Sequence, residues 1–390
     1  MLVVLQCQAA ELEEIQVAAA SGSALPHLAR ASDSTTLLSW VEPSETGHRL
    51  LVSALSGRSW SQPQVVAQGE RWFVNWADFP SVVPLSSQHW VAHWLTRSAD
   101  SPYAYDIQLS ISQDGGSSWT EPASPHHDNT PTEQGFATIF PWKSGFGMVW
   151  LDGRNTSESD SAHGHAGAMT LRSAAFDSQG IQQKSKLVDN RVCDCCQTDV
   201  AQPGSVPVVF YRDRNTDEIR DLSFSRLEGE AWATPAPVHR DGWKIAGCPV
   251  NGPAASAQGQ RAAVAWYTES GEHPRVQLAM SEDAGASFSP PILIDGNRPL
   301  GRVDVDFLPD GDVLVSWLAQ DRDGQSALTL RRVSPSGDAG PPLAVSRTSA
   351  TRPSGFPQLL VAGGRIILAW TDVVDGTPRV RSAHLATLPP

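Results

Sequence analysis

A chain of 390 residues with 42 acidic and 29 basic side chains carries a net charge of −13. That balance argues against nucleic acid or an anionic membrane surface as partner, since both need a basic footprint, but it leaves room for a small anion held by two or three arginines. Fourteen tryptophans, 31 glycines and 29 prolines suit many short strands joined by tight turns, and no long stretch has helical periodicity.

The first residues end in Val4-Leu5-Gln6-Cys7, which resembles the close of a bacterial lipoprotein signal, although Gln6 stands where a small residue is expected. The cysteine count agrees: five is odd, and setting Cys7 aside as a lipidation site leaves the even set Cys193, Cys195, Cys196 and Cys248. Residues 1–11 therefore read as a tail or signal remnant ahead of one domain, 12–390, on an exported, periplasmic or cell-surface chain that is a monomer and is lipid-anchored at Cys7.

Short apolar runs ending in an aromatic recur at Trp40, Trp94, Trp150, Tyr211, Trp266, Trp317 and Trp370, with spacings of 54, 56, 61, 55, 51 and 53. Seven copies of one unit, with residues 12 to 20 completing the last, predict an all-β, seven-bladed propeller closed by its N-terminal strand, six blades being the alternative. The blades fall at about 24 to 68, 76 to 124, 135 to 189, 194 to 239, 248 to 294, 300 to 345 and 353 to 388.

Within blades two and five the outer hairpin reads S-x-D-x-G-x-x-W or F: Ser112, Asp114, Gly116, Trp119, and again Ser281, Asp283, Gly285, Phe288. The serine and aspartate can bond turn amides, the glycine can take positive φ, and the aromatic returns onto the hairpin. Ser53 to Trp60 and Ser225 to Trp232 read as decayed copies with leucine at the aspartate position. The motif resembles the Asp-box, or BNR repeat, of sialidases and related propellers, where it is structural and lies away from the site. The resemblance implies a glycan as ligand and glycoside-hydrolase chemistry: three arginines on a carboxylate, a tyrosine nucleophile with its glutamate, and an aspartate acid. The F/Y-R-I-P motif that carries the first sialidase arginine is absent.

In a propeller the loops leading into the inner strands converge on one face. Those loops and the ends of the second strands offer Asp78, Glu133, Asp152, Arg154, Arg212, Arg302 and Asp304 as catalytic candidates, because guanidinium forks suit carboxylates and paired carboxylates suit acid and base work. His27, Trp76, His127 and Asn251 are candidates for substrate binding. Tyr211 adjoins Arg212, but strand alternation turns the two to opposite sides.

Cys193, Cys195 and Cys196 lead into blade four and Cys248 into blade five, so neighbouring strands bring all four together. They read as two disulfides stapling the blades, or as a thiolate site for copper or zinc with His27, His163 or His165 as added ligands. Three functions follow: an exported glycan-acting or glycan-binding propeller, a cell-envelope metal or redox protein, and a protein-binding scaffold.

Overall fold

The computed structural model describes residues 12–156, 167–321 and 323–385, which form seven antiparallel sheets. Successive sheets touch all the way round, with the first against the last. The protein is a seven-bladed β-propeller, with blade bounds within a few residues of those expected. Leu12–Ile15 is the outermost strand of blade seven, with Leu12 opposite Leu385 and Ile15 opposite Ser382. First and last strands thus share one sheet and leave no seam at which the ring could open.

The aromatic repeat has a physical basis. Each second strand is covered on both faces by neighbouring blades, so it is buried along nearly its whole length rather than on alternate residues. Its tryptophan wedges between blades: Trp40, Trp150, Trp266 and Trp317 are at most 1% exposed. A buried indole N–H needs an acceptor. Here Glu42, Asp152, Asp241 and Asp295 accept those four at 2.8, 3.0, 2.8 and 2.7 Å.

The two Asp-boxes are built alike. Ser112 Oγ donates to Asp114 (2.9 Å) and accepts the Gly116 amide (2.8 Å), while Asp114 accepts the amide and hydroxyl of Ser118 at 2.9 and 2.6 Å. Ser281, Asp283, Gly285 and Ser287 repeat this at 2.8, 2.9, 2.9 and 2.6 Å. Gly116 and Gly285 sit at φ 85° and 75°, as the turn demands. Trp119 Nε1 caps the Gly116 carbonyl, and Phe288 lies edge-on to Phe224 at 4.9 Å.

The supposedly decayed hairpins have a different geometry. Lacking the aspartate, they add two-residue strands, Ser59–Trp60 and Ala231–Trp232, on the third strand of the blade. Their indoles cross to the preceding blade, Trp60 to Ser382 and Trp232 to Ser173, at 2.7 Å each.

Carboxylates and a threonine of the inner strands tie neighbouring blades around the axis. Asp199 accepts the Ala255 amide (2.7 Å), Asp304 that of Leu359 (2.6 Å) and Asp306 that of Val361 (2.8 Å). Thr138 Oγ1 donates to the Thr198 carbonyl at 2.8 Å. These bonds frame a cavity of about 130 Å³ whose wall draws on all seven blades, including His27, Asp78, His93, Asp199, Asp304 and Phe356.

Candidate functional site

The four cysteines do meet, at the junction of blades four and five beside the cavity. Cys193 opens the loop from a bridge that pairs Val192 with Asp213, and its amide bonds the Arg212 carbonyl. The loop then turns back so that Cys193 Sγ lies 3.7 Å from Cys195 Sγ and 3.2 Å from Cys196 Sγ. The sulfurs of Cys193, Cys195 and Cys196 all lie within 4.8 Å of one another. Those of Cys195 and Cys248, with a carboxylate oxygen of Asp194, form a second set within the same limit. No pair is bonded: all four thiols are free, so the expected disulfide staples are not formed. Two exclusive pairs do lie within reach, Cys193 with Cys196 at 3.2 Å and Cys195 with Cys248 within 4.8 Å, but neither is bonded.

Charge surrounds the cluster. Arg220 Nη1 donates to Cys193 Sγ at 3.3 Å and to Asp194 at 3.1 Å, while Arg220 Nη2 bonds Glu218 at 3.0 Å. Arg214 pairs with Glu218 at 2.9 Å and stands 3.6 Å from Asp194. Burial pushes the Cys193 thiol up to about 11. Burial acts the same way on Cys196, but hydrogen bonds from Cys193 and Cys195, the charge of Arg212 and the Asn251 amide hold it well below the usual thiol range. Exposure grades outward: Cys193 and Cys196 are buried, Cys195 is half-buried and Cys248 exposed.

The arginines form no clamp. Arg212, 1% exposed, donates to the carbonyls of Arg220 (2.7 Å), Tyr267 (2.8 Å) and Asn251 (2.8 and 3.1 Å), and lies over Trp243. Arg302 donates to the carbonyls of Ala350, Thr351 and Gly355 and to Ser354 Oγ, with its guanidinium 4.8 Å from the Trp76 ring centre. Burial lowers it to about 10. Arg154 forks onto Asp152 with two 2.6 Å bonds, and the same carboxylate takes the Trp150 indole. Arg212 and Arg302 are held by buried protein acceptors and Arg154 by the Asp152 carboxylate, so the three do not converge as the expected carboxylate clamp, and Asp152 is a structural partner. Trp76 and Asn251 are likewise engaged: Trp76 stacks on Phe356, and Asn251 Oδ1 accepts the Arg302 amide at 2.8 Å.

His127 is exposed, and its neighbour His126 does the loop's work, bonding Asp128 at 3.0 Å and accepting the Ile107 amide at 3.3 Å. His27 lines the cavity, where burial lowers it to about 4 and leaves Nδ1 without a partner. His93 beside it is lowered to about 3 by burial and by His27. Neither histidine belongs to the two sulfur sets. His163 and His165, named as added ligands, and Cys7 lie outside the described residues.

Three carboxylates do stand near the axis. Asp304 and Asp199 serve the inter-blade bonds; burial raises Asp304 well above the usual range and Asp199 to about 6. Asp78 is buried, accepts the Phe136 amide at 2.8 Å and is pushed up by burial to about 7. Tyr105, which the sequence reading passed over, links it to Glu133: its hydroxyl bonds the Glu133 carboxyl and reaches Asp78 Oδ2 at 3.4 Å. Burial raises Glu133 well above its ordinary value, with Asp194, Asp78 and Cys248 adding negative charge. Tyr105 opens the third strand of blade two, and third strands begin at the face where second strands end. Scanning third-strand starts would have found it.

No family model and no curated protein sequence matches the chain. Solved propellers match it in fold. A protein of unknown function from Dyadobacter fermentans superposes with a TM-score of 0.53 at 13% identity over 96% of this chain and 97% of its own. The α-L-arabinanase of Penicillium chrysogenum, solved with arabinobiose, gives 0.51 at 12% identity over 97% of both chains. The GH93 α-L-arabinofuranosidase of Fusarium graminearum, also with arabinobiose, gives 0.50 at 13% identity over 79% and 92%. At such identities the likeness is one of architecture alone and leaves function to the site.

Proposed function

We propose that this propeller binds a soft, thiophilic metal ion, Cu⁺ or Zn²⁺, at the junction of blades four and five. One observation carries the reading: three cysteine sulfurs mutually within 4.8 Å, none in a disulfide. Thiolates ~2.3 Å from a shared metal stand ~3.8 to 4.0 Å apart in tetrahedral or trigonal geometry, and Cys193 and Cys195 are already at 3.7 Å. Thiolate ligands select copper(I) or zinc over harder cations. Arg220, on Cys193, is the outer partner that orients a ligating sulfur. The ligand loop springs from two rigid blades, so little order has to be gained on binding.

The test is metal analysis and thiol counting on protein purified without chelator. The expected result is retained copper or zinc, with four thiols released on denaturation. Metal-free protein with two disulfides would overturn the reading.

A second reading, a glycan held at the axial cavity, draws on the linked Asp78, Tyr105 and Glu133 groups: a carboxyl raised to about 7 can serve as an acid near neutrality. The architectural likeness to an arabinanase solved with arabinobiose points the same way. Arabinan oligosaccharides, sialosides and uronic-acid glycans, screened against native protein and Asp78→Asn, test it; absence of binding and turnover across the panel removes it. Export with lipid attachment at Cys7 belongs to both readings. Loss of membrane-fraction protein in Cys7→Ser is the expected result, and an unchanged distribution counts against it.

A further inference from the structure

The cysteines do not form one four-sulfur cage. They fall into two three-donor sets that overlap at one atom: Cys193, Cys195 and Cys196 on the inside, and Asp194, Cys195 and Cys248 toward solvent. From this overlap, and resting on the metal-binding reading above, we infer that the junction holds two Cu⁺ ions bridged by the Cys195 thiolate.

Three features decide between one ion and two. First, each set offers three donors. Zinc in a closed structural site takes four, whereas Cu⁺ is satisfied by three and its thiolates readily bridge. Second, a single-ion site on the inner set would leave Cys248 unligated, although its sulfur lies within 4.8 Å of the Cys195 sulfur.

Third, the charges suit a cluster richer in thiolate than in metal. Four thiolates, Asp194 and Glu218 carry six negative charges, and two Cu⁺ ions with Arg220, Arg214 and Arg212 return five, which leaves one. Arg220 bonds both Cys193 and Asp194 at 3.3 and 3.1 Å, Arg214 lies 3.6 Å from Asp194, and Arg212 acts on Cys196 through its charge. Loading is a simple exchange: two Cu⁺ ions enter, those of the four thiols that are still protonated give up their protons to solvent, and neither metal nor sulfur changes oxidation state.

The two positions differ in access. Cys248 is exposed while Cys193 and Cys196 are buried, so the outer ion sits where a donor or acceptor thiol can reach it and the inner ion does not. Cys195 belongs to both coordination spheres. An ion arriving at Cys248 therefore passes inward by ligand exchange over that one shared sulfur.

The experiment is anaerobic titration of the fully reduced chain with Cu⁺ against a chromogenic copper(I) chelator, with X-ray absorption at the copper edge on the loaded wild type. Two tightly held equivalents and a short copper–copper scattering path are expected. Cys248→Ser is expected to hold one equivalent with no copper–copper path, and Cys195→Ser to surrender both ions to the chelator while keeping its β-sheet circular dichroism. One equivalent in the wild type without a metal–metal path overturns the two-ion inference and leaves the single-ion reading standing; no bound copper or zinc at all removes both. Two equivalents that persist in Cys195→Ser overturn the bridge. Should that variant fail to fold, the absorption measurement on the wild type still decides the matter.

Discussion

Arginines and cysteines converge on the same face of the ring from the same class of loop, yet the fold treats them in opposite ways. Arg212 and Arg302 are surrounded by backbone carbonyls, and Arg154 by a carboxylate that is itself buried. The four sulfurs face mainly each other, with the fixed guanidinium of Arg220 behind them. Residue type suggested an anion clamp in one case and a staple in the other. Saturation decides otherwise: a group whose bonds are already made holds the protein together, and one whose ligand capacity is left over is available for chemistry.

The comparison can be broken by exchanging the cost of the two sets. Cys196→Ser removes a metal donor and very little packing, so affinity for Cu⁺ or Zn²⁺ is expected to fall by more than the ~10–100-fold that loss of an outer partner costs. The urea midpoint of the metal-free protein is expected to stay in place. Arg212→Met is expected to do the reverse in its primary effect, because it leaves the carbonyls of Arg220, Tyr267 and Asn251 buried without a donor, roughly 3 kcal/mol or more of lost stability at ~1–3 kcal/mol per group. Equilibrium urea unfolding at unchanged slope measures it. Equal destabilisation by both variants would dissolve the distinction.

A smaller effect sharpens the contrast at the cavity wall, where acids and bases titrate in opposite senses. Asp78 has a folded value near 7 against 3.8 when free. The folded state thus holds its proton longer, and the stability this group contributes is full below about 3.8 and is lost as pH rises through about 7. Asp78→Asn removes that loss, so its melting temperature relative to wild type is expected to climb between pH 5 and pH 8. His27 runs the other way: lowered to about 4, it contributes stability that is present above 6.5 and lost as pH falls through its folded value. A flat difference for Asp78→Asn would mean that the carboxyl is hydrated rather than buried.

The smallest effect belongs to the outer hairpins. Ser281→Ala breaks one intact Asp-box by removing the hydroxyl between Asp283 and the Gly285 amide, at a cost of about 1 kcal/mol. Metal affinity is expected to be unchanged, since the box lies on the outer hairpin of blade five. A shift in metal affinity would show that the rim and the axial junction are coupled.

The periodic tryptophans fixed blade number and boundaries because each copy of the unit needs its own wedge, and the requirement leaves a mark every 51 to 61 residues. The Asp-box hydrogen bonds were also legible, being local within eight residues. The local pattern C-D-C-C, with Cys248 far along the chain, placed the thiols in neighbouring loops for the same reason: register follows from the repeat.

Tertiary structure alone decided which groups were left over. Arg302 finds its acceptors in the loop at 350–355, and Tyr105 its partners in the loops around 78 and 133. No spacing rule announces such bonds, since they form between loops whose paths are set only when the ring closes. The sharing of Cys195 by two donor sets is of the same kind. The repeat brought four of the five cysteines together, and the way one loop folds back against the next blade divided them.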